Sequence, residues 1–377
     1  MSEYQYYEFR TIHRSLTEKE RKEVSSLSSR TTATANSAVF VYNYSDFGHD
    51  EKEVLKKYFD AMLYVSNFSS KRLLFKYPSN LINETEMAKY CDKEALSLHK
   101  AGENVILDIS LDDDEGGDDW IEGEGMLDGL LPLYSDILNG DYRALYIVWL
   151  FNAAKKADYD EKHLKKKEPP IPKNLNNLTP ALLDFIDFVE IDDDLLTVAA
   201  SISEELEETS QNFDYLPFIE KLSNKDKNDF LYRLLENENM LSAKFKRYLD
   251  EANKTVSVST TSKQQIRTVG DILEQVEILK NKAKEQKRIA AGNARLKKLA
   301  DLESKQTELW ISVKRFIAEK NAKSYDQAIN TLKELLLLAK HKDTIQEFEK
   351  KVHDIMQSYS NLSSLIRKIK DAKLIKI

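Results

Sequence analysis

The sequence predicts an α+β fold, in which a small N-terminal α/β sandwich is followed by a mostly α-helical middle and a C-terminal long helix with a helical hairpin. Strand-type and helix-type patterns alternate at the N-terminus, whereas helical spacing of apolar residues dominates afterwards. The chain has only 10 Gly and 7 Pro among its 377 residues, which argues against a turn-dense all-β fold.

Four N-terminal segments combine aromatic and branched apolar residues in runs of strand length, and the third run stops at Pro78. They predict strands at residues 4–12, 38–44, 71–77 and 104–110. Helices are predicted between them, at residues 18–24, 50–65 and 83–90. The first helix follows Ser15 and Thr17, whose hydroxyls suit an N-cap, and the second has one broad apolar face.

The remainder of the chain has helical patterns that are interrupted by a few loops. Apolar spacing predicts helices at 126–157, 179–190, 192–206, 214–223, 226–237 and 239–252, then a long helix from 269 to about 320. A hairpin of tetratricopeptide type follows. The predicted domains are therefore an α+β domain at 1–115, an acidic helical domain at 120–252, a linker at 253–265 and a basic helical part at 266–377.

Charge is distributed unevenly along the chain, whose net charge is −8. Residues 263–377 contain 25 Lys and Arg against 15 Asp and Glu, whereas residues 1–262 contain 31 against 49. Such a division predicts separate surfaces with separate partners, or two oppositely charged parts that attract one another.

An acidic run after the fourth strand, ILDISLDDDEGGDDWIEGEG, raises the question of a metal site. Asp112, Asp114 and Asp118 are the candidate ligands, since hard cations such as Mg²⁺ and Ca²⁺ take carboxylate oxygens. Counted from Asp112, however, the twelfth position is Gly123, where a calcium-binding EF-hand loop has Glu. We therefore expect an acidic connecting loop, and a metal-dependent hydrolase or nuclease is the alternative.

Catalytic motifs are missing from the sequence. It has no GxSxG, GxxxxGK[ST] or GxGxxG, its six histidines form no HExxH, and Cys91 is its one cysteine. A second acidic run, at 192–194, precedes an apolar segment and is predicted to cap a helix. The sequence thus predicts a protein without enzymatic activity and without a cofactor.

The middle of the predicted long helix, residues 280–298, is rich in Lys and Arg and has almost no apolar face. A helix that is polar all round either lies in solvent or meets a partner. The residues expected to bind a partner are Lys284, Lys287, Arg288, Arg295 and Lys298. Nucleic acid is the alternative partner for this stripe, although no aromatic residues are interleaved with the cations.

A cytoplasmic protein without a membrane partner is expected. No apolar run reaches the roughly 18–20 residues of a membrane span. The N-terminus, MSEYQYYEFR, lacks the features of a secretory signal, and a single cysteine cannot form an intrachain disulfide.

Several stretches resemble a family of uncharacterised bacterial proteins, namely residues 2–9, 15–20, 27–30, 42–47, 58–67, 71–74 and 322–329. Members of that family are encoded near SWIM-type zinc-finger proteins and MoxR-class AAA ATPases. Where the family has Trp and Gly, this chain has Tyr44-Ser45 before Asp46 and Phe68-Ser69-Ser70 before Lys71. These positions are therefore poor candidates for an invariant site.

The resemblance implies a component of a multi-gene bacterial system, such as one that defends against phage. Together with the missing catalytic motifs, it favours a protein-interaction scaffold or adaptor. The expected partners are other proteins of the same operon, such as the AAA ATPase or the SWIM zinc-finger protein.

Overall fold

The computed structural model describes residues 4–67, 70–112, 122–205, 215–253 and 267–375. The chain divides into two compact units, Met1–Leu279 and Lys280–Ile377. An N-terminal antiparallel sheet is followed by helices, which confirms the predicted α+β class. Within the described residues, no helix has both the length and the apolar composition that crossing a membrane requires.

The described residues form one seven-stranded sheet in the order β2-β3-β1-β4-β5-β7-β6, with every neighbouring pair antiparallel. Its strands are β1 (Gln5–Arg10), β2 (Thr31–Ala33), β3 (Ser37–Tyr42), β4 (Ala61–Ser66), β5 (Lys71–Pro78), β6 (Leu96–Ala101) and β7 (Asn104–Leu111). The four predicted strands correspond to β1, β3, β5 and β7.

The helix predicted at 50–65 was wrong in its second half. Helix α2 (Glu51–Tyr58) ends at Tyr58, and β4 then runs through the middle of the sheet. Both faces of β4 are covered, so its apolar residues are nearly continuous and do not alternate. A short apolar run of this kind also fits helical spacing.

One face of the sheet is covered by α1 (Glu18–Ser25) and α2. The core on this side includes Phe9, Phe40 and Phe59, all of which are fully buried. Of the two predicted capping hydroxyls, that of Thr17 caps α1. Glu20 completes a capping box with Thr17, which was not predicted.

The opposite face carries the helices α4 (Met126–Leu130), α5 (Pro132–Leu138), α6 (Arg143–Tyr159), α7 (Pro180–Val189) and α8 (Asp193–Ala200), after the short α3 (Glu84–Met87). These helices share one hydrophobic core with the sheet. The predicted division at 115–120 therefore does not separate two cores. Asp192 accepts a hydrogen bond from the Asp194 amide and caps α8, as predicted.

Three further helices, α9 (Leu216–Lys221), α10 (Asn224–Leu235) and α11 (Leu241–Asn253), complete the first unit before α12 (Val269–Ser304). The predicted linker lies outside the described residues except for Asn253. The second unit continues with α13 (Gln306–Ala318), α14 (Ala322–His341), α15 (Ile345–Ser358) and α16 (Ser363–Asp371). The helix predicted to run to about 320 is interrupted at Lys305, where ψ is 4°.

Candidate functional site

Of the three predicted metal ligands, only Asp112 belongs to the described residues. It follows β7, its side chain is exposed, and its backbone carbonyl accepts a hydrogen bond from Lys155 Nζ. Lys155, Lys156 and Glu94 line a cavity of about 430 Å³ together with Asp112, and Lys156 Nζ lies 2.6 Å from Glu94 Oε2. Asp114 and Asp118 lie outside the described residues. Elsewhere in the described chain, no group of three or more His, Cys, Asp or Glu is arranged to hold a metal ion.

Cys91 is a poor nucleophile because it is held as a thiol. It lies after α3, and its Sγ donates to the Met87 carbonyl at 3.6 Å. Burial, followed by the charge of Asp92, raises its pKa to about 11. The reactive form of cysteine is the thiolate, so this residue is largely unreactive at neutral pH.

The predicted partner-binding residues all lie on α12 and are all exposed. Every residue from 281 to 298 is exposed. Arg288 pairs with Glu285 one turn earlier, at 2.7 Å between Nε and Oε2. Binding of a partner by these residues stays a prediction.

A polar cluster lies on the sheet beneath α2 and was not predicted from the sequence. Its centre is Asp108 of β7, which is 5% exposed. Arg72 of β5 binds both carboxylate oxygens of Asp108, at 2.9 and 2.7 Å, and Lys52 Nζ lies 2.9 Å from Oδ2. The cluster comprises Glu51, Lys52, Arg72, Ser97, His99 and Asp108.

The polar cluster contains a Ser, a His and an Asp but lacks the geometry of a catalytic triad. Ser97 Oγ lies 2.8 Å from His99 Nε2, and Asp108 Oδ2 lies 3.4 Å from the same nitrogen. A triad needs the serine and the aspartate on different ring nitrogens, so that the ring can accept a proton on one side while the carboxylate orients it on the other. Lys52 Nζ also lies 2.9 Å from Nε2. The arrangement is an ion-pair network that attaches α2 to the sheet.

Replacing Asp108 by asparagine is expected to lower the free energy of unfolding by about 2–3 kcal/mol at neutral pH, because Arg72 and Lys52 lose a charged acceptor. Burial raises the pKa of Asp108, but hydrogen bonds and charges from these two cations outweigh burial, so its pKa lies below the ordinary 3.8. Its stabilising contribution is therefore complete above that value and is lost as the pH falls through the folded-state pKa.

Urea unfolding at several pH values tests this prediction. The difference between wild type and Asp108→Asn should shrink as the pH falls below about 4. A difference that stays constant down to pH 2 would show that the carboxylate charge does not stabilise the fold. Glu53→Gln is the control, because Glu53 and its partner Lys56 on the same helix are both exposed.

A second cavity, of about 650 Å³, opens beside β1 and β3 and is acidic. Glu8 lies in its wall and is 3% exposed. Its Oε1 accepts from Arg10 Nε at 2.6 Å, and its Oε2 accepts from the Tyr6 hydroxyl at 2.9 Å. Arg10 also reaches Asp128 at 2.7 Å. The buried charge of Glu8 is thus satisfied within the protein.

Helix α10 carries three exposed leucines. Leu231, Leu234 and Leu235 are 58, 60 and 78% exposed, and their i, i+3, i+4 spacing places them on one face. Phe230 flanks this face, one turn before Leu234, and its ring lies 4.5 Å from the Phe245 ring of α11. We call the three residues the leucine face.

Comparisons with family models, curated proteins and solved structures give no match for this chain. Within the described residues, the candidate features are therefore the polar cluster, two cavities, the leucine face and the basic part of α12. The polar cluster and the buried Glu8 are satisfied internally, whereas both helix surfaces are exposed to solvent.

Proposed function

We propose that this protein is a non-enzymatic scaffold or adaptor, and that the leucine face of α10 binds another protein. The observation that carries the proposal is the exposure of Leu231, Leu234 and Leu235 on one side of one helix. Contiguous exposed apolar surface on a soluble protein marks interaction sites, whereas single exposed apolar residues are common.

The packing of α10 supports this proposal. Phe230 already fixes the helix to α11, with the Phe230 ring 4.5 Å from Phe245 and 5.3 Å from Tyr248. The three exposed leucines take no part in these ring contacts. A groove that accepts a helix is filled by side chains with this i, i+3, i+4 spacing. Burying one leucine fully contributes about 1.5–3 kcal/mol before the costs of association.

The resemblance to the bacterial family supports the choice of partner. A protein of the same operon, such as a MoxR-class AAA ATPase or a SWIM zinc-finger protein, is the proposed ligand of the leucine face. The setting is the cytoplasm, within a multi-gene system such as one for phage defence. The isolated chain is expected to turn over no substrate.

Replacing Leu231, Leu234 and Leu235 together by glutamine should weaken binding to that partner about 100-fold or more, since three apolar anchors are removed. Glutamine has nearly the helix propensity of leucine, so α10 should be retained. The measurement is affinity capture of each operon protein, co-expressed with the full-length chain, followed by titration calorimetry of any pair that is captured.

The matched control replaces three other exposed apolar residues by glutamine: Leu183, Ile278 and Leu296, which are 50, 46 and 56% exposed. Its binding should equal that of wild type. Methionine at the three leucine positions should preserve binding, because it keeps apolar volume. If the glutamine variant binds as tightly as wild type, or if no operon protein is captured, the proposal is wrong.

A further inference from the structure

The basic residues of α12 lie mainly on one side of the helix. At about 100° per residue, six of them fall within an arc of about 100°, and Ala291 is the only uncharged residue inside it. Lys282 and Lys297 fall outside this arc. The six residues, here called the basic face, are Lys280, Lys284, Lys287, Arg288, Arg295 and Lys298.

The basic face is positively charged and accessible. Within the described residues, Lys284, Lys287, Arg295 and Lys298 form no ion pair, and all four are exposed. The acidic Glu285 projects outside the arc and holds Arg288 at its edge through two hydrogen bonds of 2.7 and 2.8 Å. The exposed apolar residues of this segment point the other way.

The second unit as a whole is also basic. Residues 280–377 contain 23 Lys and Arg against 12 Asp and Glu, whereas residues 1–279 contain 33 against 52. A polyanion that approaches the protein is therefore attracted to this unit and repelled by the other one. The division between the two units coincides with the start of the basic face.

We propose that the basic face binds the phosphate backbone of double-stranded nucleic acid without reading its sequence. Charge complementarity selects the partner class, because nucleic-acid interfaces are polar and strongly positive. A protein partner would need an apolar or aromatic centre, and the face has none. Single strands are bound by stacking on aromatic rings, and no aromatic residue lies between 280 and 298.

The dimensions of the face fit a duplex. Its residues span 18 steps along the helix, which is about 27 Å at 1.5 Å per residue. This length equals about eight base pairs at 3.4 Å each. Contacts with five or six phosphates give a slope of about −5 when the logarithm of affinity is plotted against that of salt concentration. This binding activity is independent of the leucine face.

The test uses the full chain and a labelled duplex of about 20 base pairs with arbitrary sequence, followed by fluorescence anisotropy between 50 and 200 mM salt. Wild type should lose about a thousandfold in affinity over that range. At low salt, a variant with glutamine at five positions should bind at least about 100-fold more weakly. Those positions are Lys284, Lys287, Arg288, Arg295 and Lys298.

The control removes the same number of charges from exposed lysines elsewhere in the unit, by Lys282→Gln, Lys297→Gln, Lys314→Gln, Lys333→Gln and Lys340→Gln. It should bind within about threefold of wild type, because non-contacting charges act only through a screened field. Circular dichroism shows whether both variants keep their helices.

Three results would overturn the proposal: no binding of the duplex by wild type, equal binding by the two glutamine variants, or tighter binding of poly-glutamate than of the duplex. The last result would identify an acidic protein surface as the partner. A single strand of the same length should bind more weakly than the duplex.

Discussion

Replacing Glu168 by glutamine is expected to lower the free energy of unfolding of the N-terminal unit by about 3–5 kcal/mol. Glu168 and Arg267 form a bidentate ion pair, in which Arg267 Nε lies 2.9 Å from Oε2 and Nη2 lies 2.8 Å from Oε1. The side chain of Glu168 is 2% exposed and that of Arg267 is 8% exposed. The Tyr146 hydroxyl donates to the same carboxylate at 2.5 Å. The substitution leaves the guanidinium of Arg267 buried without a countercharge.

This ion pair holds the start of α12 against the helical layer. The Glu168 amide donates to the Arg267 carbonyl at 2.9 Å, and the Val269 amide donates to the Lys166 carbonyl at 2.9 Å. Arg267 Nη1 also donates to the Val198 carbonyl at 3.3 Å, at the end of α8. Two segments about 100 residues apart are thereby joined at the point where α12 begins.

Urea unfolding monitored by Trp149 fluorescence measures the effect, in a reference protein that carries Trp120→Phe and Trp310→Phe. Glu204→Gln is the control, because Glu204 and its partner Lys173 are both exposed, and it should cost at most about 0.5 kcal/mol. The double variant Glu168→Leu, Arg267→Met should recover part of the stability, because no buried charge is left unpaired. A loss below 1 kcal/mol in Glu168→Gln would contradict this account of the pair.

Tyr134→Ala is expected to destabilise the same unit by about 3–5 kcal/mol, as large-to-small changes of buried aromatic residues do. Tyr134 of α5 is 1% exposed and stacks on Tyr77 of β5, with ring centroids 4.4 Å apart. The Tyr77 hydroxyl donates to the Tyr134 carbonyl at 3.3 Å, and the Tyr134 hydroxyl donates to the Lys76 carbonyl at 3.1 Å. Alanine removes the ring and leaves the Lys76 carbonyl without this donor.

The same variant tests whether the sheet and its helical layer unfold together. Native-state hydrogen exchange should show amides of β5 and of α6 losing protection by the same amount in Tyr134→Ala. Leu183→Ala, on the exposed side of α7, is the control and should change neither. If protection falls only in the helices, the two layers are separate cooperative units, as the sequence-based division at 115–120 predicts.

Local patterns in the sequence predicted the parts of the fold that depend on neighbouring residues. The caps at Thr17 and Asp192 were predictable because each side chain lies within one helical turn of the amide that it binds. Strand β4 could not be predicted, because burial on both faces removes the alternation of apolar and polar residues that marks a strand. Strand β6 lies at the sheet edge and lacks a strong apolar pattern, and its Ser97 and His99 are half-buried.

Long-range convergence explains why the polar cluster was missed. Arg72 meets Asp108 only because β5 pairs with β7, and His99 joins them because β6 pairs with β7 on its other side. Lys52 approaches from α2, which no sequence spacing indicates. The i, i+3, i+4 spacing of the leucine face is visible in the sequence. The sequence alone does not show whether that face of α10 meets solvent or the core. The basic stripe was predicted because its charges lie within 19 consecutive residues.

Site-specific photocrosslinking in cells tests the central claim, that the leucine face binds a protein. A photoreactive phenylalanine at Leu235 lies on that face, and one at the exposed Lys333 of α14 is the control. The account predicts one discrete crosslinked product at Leu235, containing a protein of the same operon, and none at Lys333. If Leu235 gives no product beyond that of the control, the claim is contradicted.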